Sequence, residues 1–189
     1  MQNNESPMPV KVNQRRVVHT GRVFDFTVEN VTFANGLTLD LEVIRHPGAS
    51  AVVALTNDRQ VLMLRQYRHA IGDYIWEIPA GTFSGREEPL ACARRELIEE
   101  TGYQAGSWEP MGAVTPLAGY SDERIYLYLA RDLTPTEQSL DPDEILEVHC
   151  VPLDRVSRMI ANGQIEDAKT IAALFRTLDR IDSENLLQS

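Results

Sequence analysis

The stretch that most limits how this chain can fold is GTFSGREEPLACARRELIEETGY, residues 81–103, because it encodes one helix with two chemically opposed faces. Pro89 suits a first helical position, Glu88 stands where a cap belongs and Gly102 supplies a stop, so the spacing predicts a helix over 89–101. At ~100° per residue, Leu90, Ala93 and Leu97 fall within about 60° of one another and make a stripe to be buried. Glu96, Glu99 and Glu100 fill another arc of about 100°, which begins beside that stripe. Carboxylates at i, i+3 and i+4 repel one another by roughly a few tenths of a kcal/mol per pair. Arg95 offsets part of this, and a hard divalent cation would offset more. An oxygen-only donor set of this density suits Mg²⁺ or Mn²⁺, and no Cys/His grouping competes for zinc. RRELIEE is also the composition of an ordinary solvated, salt-bridged face, so composition alone does not decide its use.

The segments around the helix read mainly as strands. The first dozen residues are polar, carry Pro7 and Pro9, and are expected to be mobile. From Val23, Phe24, Phe26 and Val28 alternate with polar residues; Val31 and Phe33 resume out of phase, which predicts a bulge near Glu29–Asn30. Asn35-Gly36 is a hairpin turn, and Leu37, Leu39, Leu41 and Val43 line one face of the returning strand up to His46-Pro47-Gly48. Residues 1–47 thus read as a small β module before a main domain over 48–189. That domain continues with two apolar strands in 51–68, a short strand over 74–81, and strands near 108–114, 124–131 and 145–151. Helical spacing follows in Leu153, Val156, Met159 and Ile160, stopped by Gly163, and in the stripe Ile171, Leu174, Phe175 and Leu178. Strands interrupted by a few helices indicate an α/β layered domain, not a helical bundle.

Charge narrows the partners. Among 189 residues, 28 are acidic and 18 basic, a formal balance of −10. Nucleic-acid coats and polybasic membrane anchors need a basic surface, so neither fits. No apolar run approaches the ~20 residues of a membrane helix. Cys92 and Cys150, far apart and without an export signal, read as reduced cytoplasmic thiols, not as a disulfide framework.

The spacing of the whole 81–103 segment is far more specific than its composition. Gly81, Glu87, Arg95, Glu96, Glu99, Glu100 and Gly102 fit G-x5-E-x7-R-E-U-x-E-E-x-G-U at every fixed position, with Leu97 and Tyr103 in its hydrophobic slots. Such a match arises by chance about once in 10⁶ chains of this size. The pattern is the Nudix box, and the chain resembles the Nudix hydrolase family over roughly residues 50–189. The resemblance implies an α/β/α sandwich with a mixed sheet, and hydrolysis of a nucleoside diphosphate linked to another moiety. It also implies a divalent metal, usually Mg²⁺, with Mn²⁺ able to substitute. Position by position, it makes Glu96 and Glu100 metal ligands, Glu99 a further ligand or a base, and the Ala80 carbonyl a ligand. Gly81 lets the backbone pass close to the metal, and Glu87, Arg95 and Gly102 support the box.

Three further segments resemble the ADP-ribose pyrophosphatase group, which includes sugar-nucleotide hydrolases. RQYRHA (65–70) and WEIPAGT (76–82) imply that Arg68 contacts substrate phosphate and that Glu77 lies beside the site. Pro116, 14 residues after Gly102, matches a proline associated with ADP-ribose, whereas Tyr120 lies where diadenosine polyphosphate hydrolases often place a tyrosine. DPDEILEVHCVPL (141–153) resembles a mobile acidic loop that brings in a metal ligand or general base, here Glu144. Arg45 is a weaker phosphate candidate. Members of the group are homodimers through their N-terminal strands, and a hairpin bearing Phe24, Phe26 and Phe33 cannot bury both faces alone. ADP-ribose is therefore the leading expected substrate, with GDP-mannose or another nucleotide sugar next. A non-catalytic nucleotide sensor is the alternative of another class, and the intact set of box glutamates argues against it.

Overall fold

The computed structural model describes the backbone of residues 9–187 and the side chains of 9–183; the polar tail expected to be mobile lies largely outside the described residues. The chain divides into two compact units, one formed by residues up to Pro47 together with Leu117–Glu123, the other by Gly48–Pro116 and the chain from Arg124 onward.

The first unit is an antiparallel sheet of three strands, β1 (Val10–Thr20), β2 (Asp25–Phe33) and β3 (Thr38–Arg45), in that order. The connection after β2 spans Ala34–Leu37, with Gly36 at φ +85° and the Phe33 N–H bonded to the Leu37 carbonyl at 2.8 Å, so the Asn-Gly turn sits inside a four-residue loop. The sequence predicts no strand before Val23, because almost all residues of β1 are exposed and no apolar alternation marks them. One expectation fails here. β2 runs in unbroken register against β3; the bulges lie in β1, at Val12/Gln14 and Val17/His19. The phase change along β2 has another cause: its buried face is Thr27, Glu29 and Val31, and Glu29 is buried because arginines neutralise it. The 117–123 segment joins this sheet through Ile44, whose N–H bonds the Tyr120 carbonyl at 2.8 Å.

The second unit begins with β4 (Ala49–Ala54) and β5 (Gln60–Arg68). The segment expected as one strand over 74–81 is two, β6 (Asp73–Glu77) and β7 (Ala80–Thr82), divided at Ile78-Pro79 and belonging to different sheets. Then come α1 (Pro89–Thr101), β8 (Tyr103–Val114), β9 (Ile125–Pro135), β10 (Leu146–Pro152), α2 (Leu153–Ala161) and α3 (Ala168–Leu187). One sheet is mixed, with order β7-β4-β9-β8 and a parallel β4–β9 pair; the other is antiparallel, with order β10-β5-β6.

Side-chain alternation along these strands builds the layers. Val52, Ala54 and Leu62 pack with Ala93 and Leu97 of α1, while Ala51, Val53, Val61 and Met63 pack with Val156, Met159, Ala173 and Leu174 of α2 and α3. The result is an α/β/α sandwich with a mixed sheet, as the box implied. A 13-residue helix such as α1 is marginal alone and depends on this packing, in which a fully buried leucine contributes about 1.5–3 kcal/mol. The α3 stripe differs from expectation at Phe175, which is 70% exposed; Thr170 and Thr177 join Ala173 and Leu174 on the buried face. No helix among the described residues is long and apolar enough to cross a membrane.

Candidate active site

The site is built where β7 passes across α1. Pro89 opens the helix as expected; Glu88 occupies the cap position without a side-chain cap bond, and Gly102 closes it at φ +70°. The C-terminal turn is secured from the 136–139 segment, where Gln138 Nε2 donates to the Glu100 carbonyl at 2.6 Å and the Ser139 N–H to that of Glu99 at 3.1 Å. The face bearing Glu96 and Glu100 is not a solvated one: the two residues are 6% and 1% exposed. β7 covers them. The Ala80 N–H donates to Glu100 Oε2 at 2.8 Å, and a Cβ on Gly81 would stand 1.9 Å from Glu96 Oε1, so only glycine leaves room for that carboxylate. Two bonds hold β7 down: Cys92 Sγ donates to the Gly81 carbonyl at 3.3 Å, and Arg95 Nη2 to that of Thr82 at 3.2 Å.

Arg95 organises the remaining box carboxylates. Its Nε and Nη2 fork onto the two oxygens of Glu87 at 3.0 and 2.9 Å, while Nη1 reaches Glu96 at 2.5 Å and Glu99 at 2.9 Å. The fork ties the loop before α1, where Glu87 also accepts from the Ser84 N–H, to the helix itself. Chiefly through Arg95, Glu87 is held below the ordinary carboxylate range. Burial does the opposite to Glu96, pushing it up to about 7 against the pull of Arg95, with the charges of Glu99 and Glu144 adding to the rise. Glu100 is raised well above its ordinary value, first by burial and then by Glu96; the Ala80 N–H, and Arg68 more weakly, oppose this. The Cys92 thiol is pushed up to about 12 by burial and the neighbouring carboxylates, so it is packing, not a nucleophile.

Glu144 lies on the loop entering β10, half-buried, and its charge is felt by both Glu96 and Glu100. The β10–β5 register pairs Leu146 with Gln66, and the Tyr67 N–H bonds the Ile145 carbonyl, which carries Glu144 to the level of Arg68. Arg68, at the end of β5, is paired with Glu77 of β6 through Nε at 2.8 Å and Nη2 at 2.7 Å, both to Oε2. Glu77 Oε1 is occupied by Lys169 at 3.0 Å. Ala80, Gly81, Glu87, Arg95, Glu96, Glu99, Glu100, Gly102, Arg68, Glu77 and Glu144 thus all belong to the second unit. Arg45 lies in the first, bound to Glu29 and Asp122, and Tyr120 is an exposed residue of that unit.

Three residues around Glu77 went unread in the sequence. Lys169 also pairs with Asp167 at 2.9 Å; Asp167 accepts the Thr170 N–H at 3.0 Å; and Thr170 Oγ1 accepts the Ile78 N–H at 3.0 Å. An Asp three residues before a Thr, just ahead of an apolar stripe, is a helix-start signal that could have drawn attention to them.

This arrangement gathers anionic oxygens in a water-poor setting with too few cationic partners. Among the described residues no three His, Cys, Asp or Glu side chains already converge as a finished metal cage, and Arg95 takes up oxygens of Glu87, Glu96 and Glu99. The donor chemistry nevertheless fits a hard divalent cation: carboxylates and backbone carbonyls, two of the carboxylates buried and mutually repelling.

Known proteins resemble this chain over most of its length. The family model described as NUDIX domain matches residues 45–174. The chain is 37% identical over 166 residues to an ADP-ribose pyrophosphatase of Bacillus subtilis (strain 168), covering 87% of this chain and 90% of that protein. It is 39% identical over 159 residues to a methanol dehydrogenase activator of Bacillus methanolicus, covering 83% and 86%. It is 31% identical over 167 residues to a GDP-mannose pyrophosphatase of Escherichia coli O9:H4 (strain HS), covering 79% and 86%. A crystal structure of an ADP compounds hydrolase superposes with a TM-score of 0.82 at 21% identity, covering 94% of this chain and 96% of that one, which speaks to the fold.

Proposed function

The chain belongs to the NUDIX family, and from that premise we propose that it hydrolyses the pyrophosphate bond of ADP-ribose to give AMP and ribose 5-phosphate, with Mg²⁺ as cofactor and Mn²⁺ as a substitute. It is an enzyme, a pyrophosphatase of the ADP-ribose pyrophosphatase-like kind. The observation that carries the reading is the burial of Glu96 and Glu100 together beneath β7, where Gly81 leaves room for Glu96 and the Ala80 N–H holds Glu100.

In this reading Glu96, Glu100 and the Ala80 carbonyl hold the cation, with Glu99 and Glu144 as further ligands. When bound, the cation neutralises the pyrophosphate and lowers the pKa of coordinated water. The rest is done by the chain's own groups. Arg68, pinned to Glu77 through Nε and Nη2, holds a phosphate oxygen with Nη1, which lies outside that pairing. Arg45, engaged by Glu29 and Asp122, is the weaker candidate for a phosphate contact. Glu144 takes the proton as water attacks phosphorus and the bridging P–O bond breaks; Glu99, on the open edge of the helix, is the other carboxylate for that role. Arg95 and Glu87 hold the box loop against the helix, and Gly102 ends it. Catalysis of this kind rests on position and electrostatics more than on covalent chemistry.

The reading also includes a cytoplasmic homodimer. Both cysteines are free, as a reducing compartment requires. In the first unit Val12, Val17, Val18, Phe24 and Leu41 are all more than a third exposed, an apolar surface suited to a second copy. Sedimentation velocity should find a dimer. The deciding assay is a panel of ADP-ribose, GDP-mannose, UDP-glucose and diadenosine polyphosphate with Mg²⁺ and product identification. AMP and ribose 5-phosphate as the fastest-formed products support the reading. Faster release of GMP and mannose 1-phosphate shifts the substrate to GDP-mannose, and no cleavage of any substrate leaves the sensor.

A further inference from the structure

We propose that Lys169 is a positioning residue for Arg68, acting through Glu77, so that the first turn of α3 sets the phosphate-binding cation of the site; this rests on the reading of Arg68 above. Glu77 is 3% exposed and spends each oxygen on a different cation, Oε2 on Arg68 and Oε1 on Lys169. A carboxylate held at both oxygens cannot rotate, and its plane then fixes the guanidinium that forks onto it. Lys169 is equally constrained. It is 12% exposed, and Asp167, bound at 2.9 Å, is itself fixed by accepting the Thr170 N–H. The same turn grips the next residue of the chain, since Thr170 Oγ1 takes the Ile78 N–H. Two consecutive residues, Glu77 and Ile78, are thus clamped from α3 just before Ala80 reaches Glu100.

Removing the lysine would leave Oε1 buried without its cation. Glu77 would then be free to turn, and the whole of its charge would fall on Arg68. A salt bridge that merely stabilises the fold would lower the unfolding temperature and leave substrate affinity alone. A positioning role weakens affinity through Arg68 and spares the chemical step.

The test is a double-mutant cycle on the full chain, reading the Kd of the uncleavable α,β-methylene analogue of ADP-ribose by calorimetry, and KM and kcat for ADP-ribose with Mg²⁺. Lys169→Met should raise Kd and KM about tenfold with kcat within about twofold, and Lys169→Arg should restore most of the affinity. In an Arg68→Met background, Lys169→Met should add less than about twofold. Wild-type affinity in Lys169→Met while Arg68→Met is impaired overturns the proposal, as does a Lys169→Met effect that persists undiminished in Arg68→Met. Wild-type affinity in Arg68→Met itself overturns instead the phosphate role of Arg68. Should Lys169→Met not fold, Lys169→Ser, polar but too short to reach Glu77, replaces it with the same expected and contrary results.

Discussion

Glu29 in the first unit and Glu100 in the second are buried to nearly the same degree, 3% and 1% exposed, yet their surroundings push them in opposite directions. Glu29 Oε1 accepts from Arg15 Nε at 2.7 Å and from Arg45 Nε and Nη2 at 2.9 and 2.6 Å. Burial works against its charge, but the two arginines outweigh it and hold the carboxyl below its ordinary range. Glu100 receives one backbone N–H at short range and faces Glu96 and Glu144, so it is raised. A buried carboxylate met by cations keeps its charge inside a fold, and removing a partner is what costs stability. One that is crowded with its own kind and left short of cations is a binding site that weakens the fold holding it.

Breaking the second half of this comparison should have the largest effect. Glu100→Gln should lower kcat/KM for ADP-ribose by at least ~100-fold while the metal-free protein unfolds no earlier than wild type, because a repelled charge has been removed. An early-unfolding variant with normal kcat would make Glu100 a structural residue like Glu29. Gly81→Ala follows: its methyl would fall 1.9 Å from Glu96 Oε1, so the carboxylate must move, and activity should drop by roughly 10-fold or more. Wild-type rates in that variant would show that the close passage of β7 has no catalytic purpose.

The first half predicts smaller effects, on stability alone. Glu29→Gln should cost about 1–3 kcal/mol in denaturant unfolding, since two arginines lose their shared anion. The pH response of this region follows from the sign of its shifts. Folded Glu29 and Asp122 both release protons more readily than the unfolded chain, Asp122 because Arg45 and the His46 N–H overcome its partial burial. Their stabilisation is therefore complete above the ordinary carboxylate range, near about 4, and is lost as pH falls through their depressed folded values. Unfolding midpoints measured from pH 6 downward should drop in that acid window, and the drop should shrink in Glu29→Gln.

Much of the second half was legible in the sequence because the box is local. Pro89, Gly102 and the i, i+4 spacing of Glu96 and Glu100 fall within one helix, where 100° per residue fixes who faces whom. What that geometry could not reveal was the burial of the acidic face, which depends on β7 arriving from outside the helix. Lys169 was hidden for the same reason: its partner Glu77 stands 92 residues away, and no local period joins them. In the first unit alternation misleads where burial follows charge. Glu29 sits on the inner face of β2 by virtue of Arg15 and Arg45, which a hydrophobic alternation counts as a break, and exposed β1 carries no alternation at all.

Calorimetric titration of Mn²⁺ into wild-type protein, Glu100→Gln and Glu29→Gln tests most directly that the crowded carboxylates are a cation site and the paired one is not. The account predicts affinity at least ~10-fold weaker in Glu100→Gln and unchanged in Glu29→Gln. Equal Mn²⁺ affinity in wild type and Glu100→Gln would contradict it.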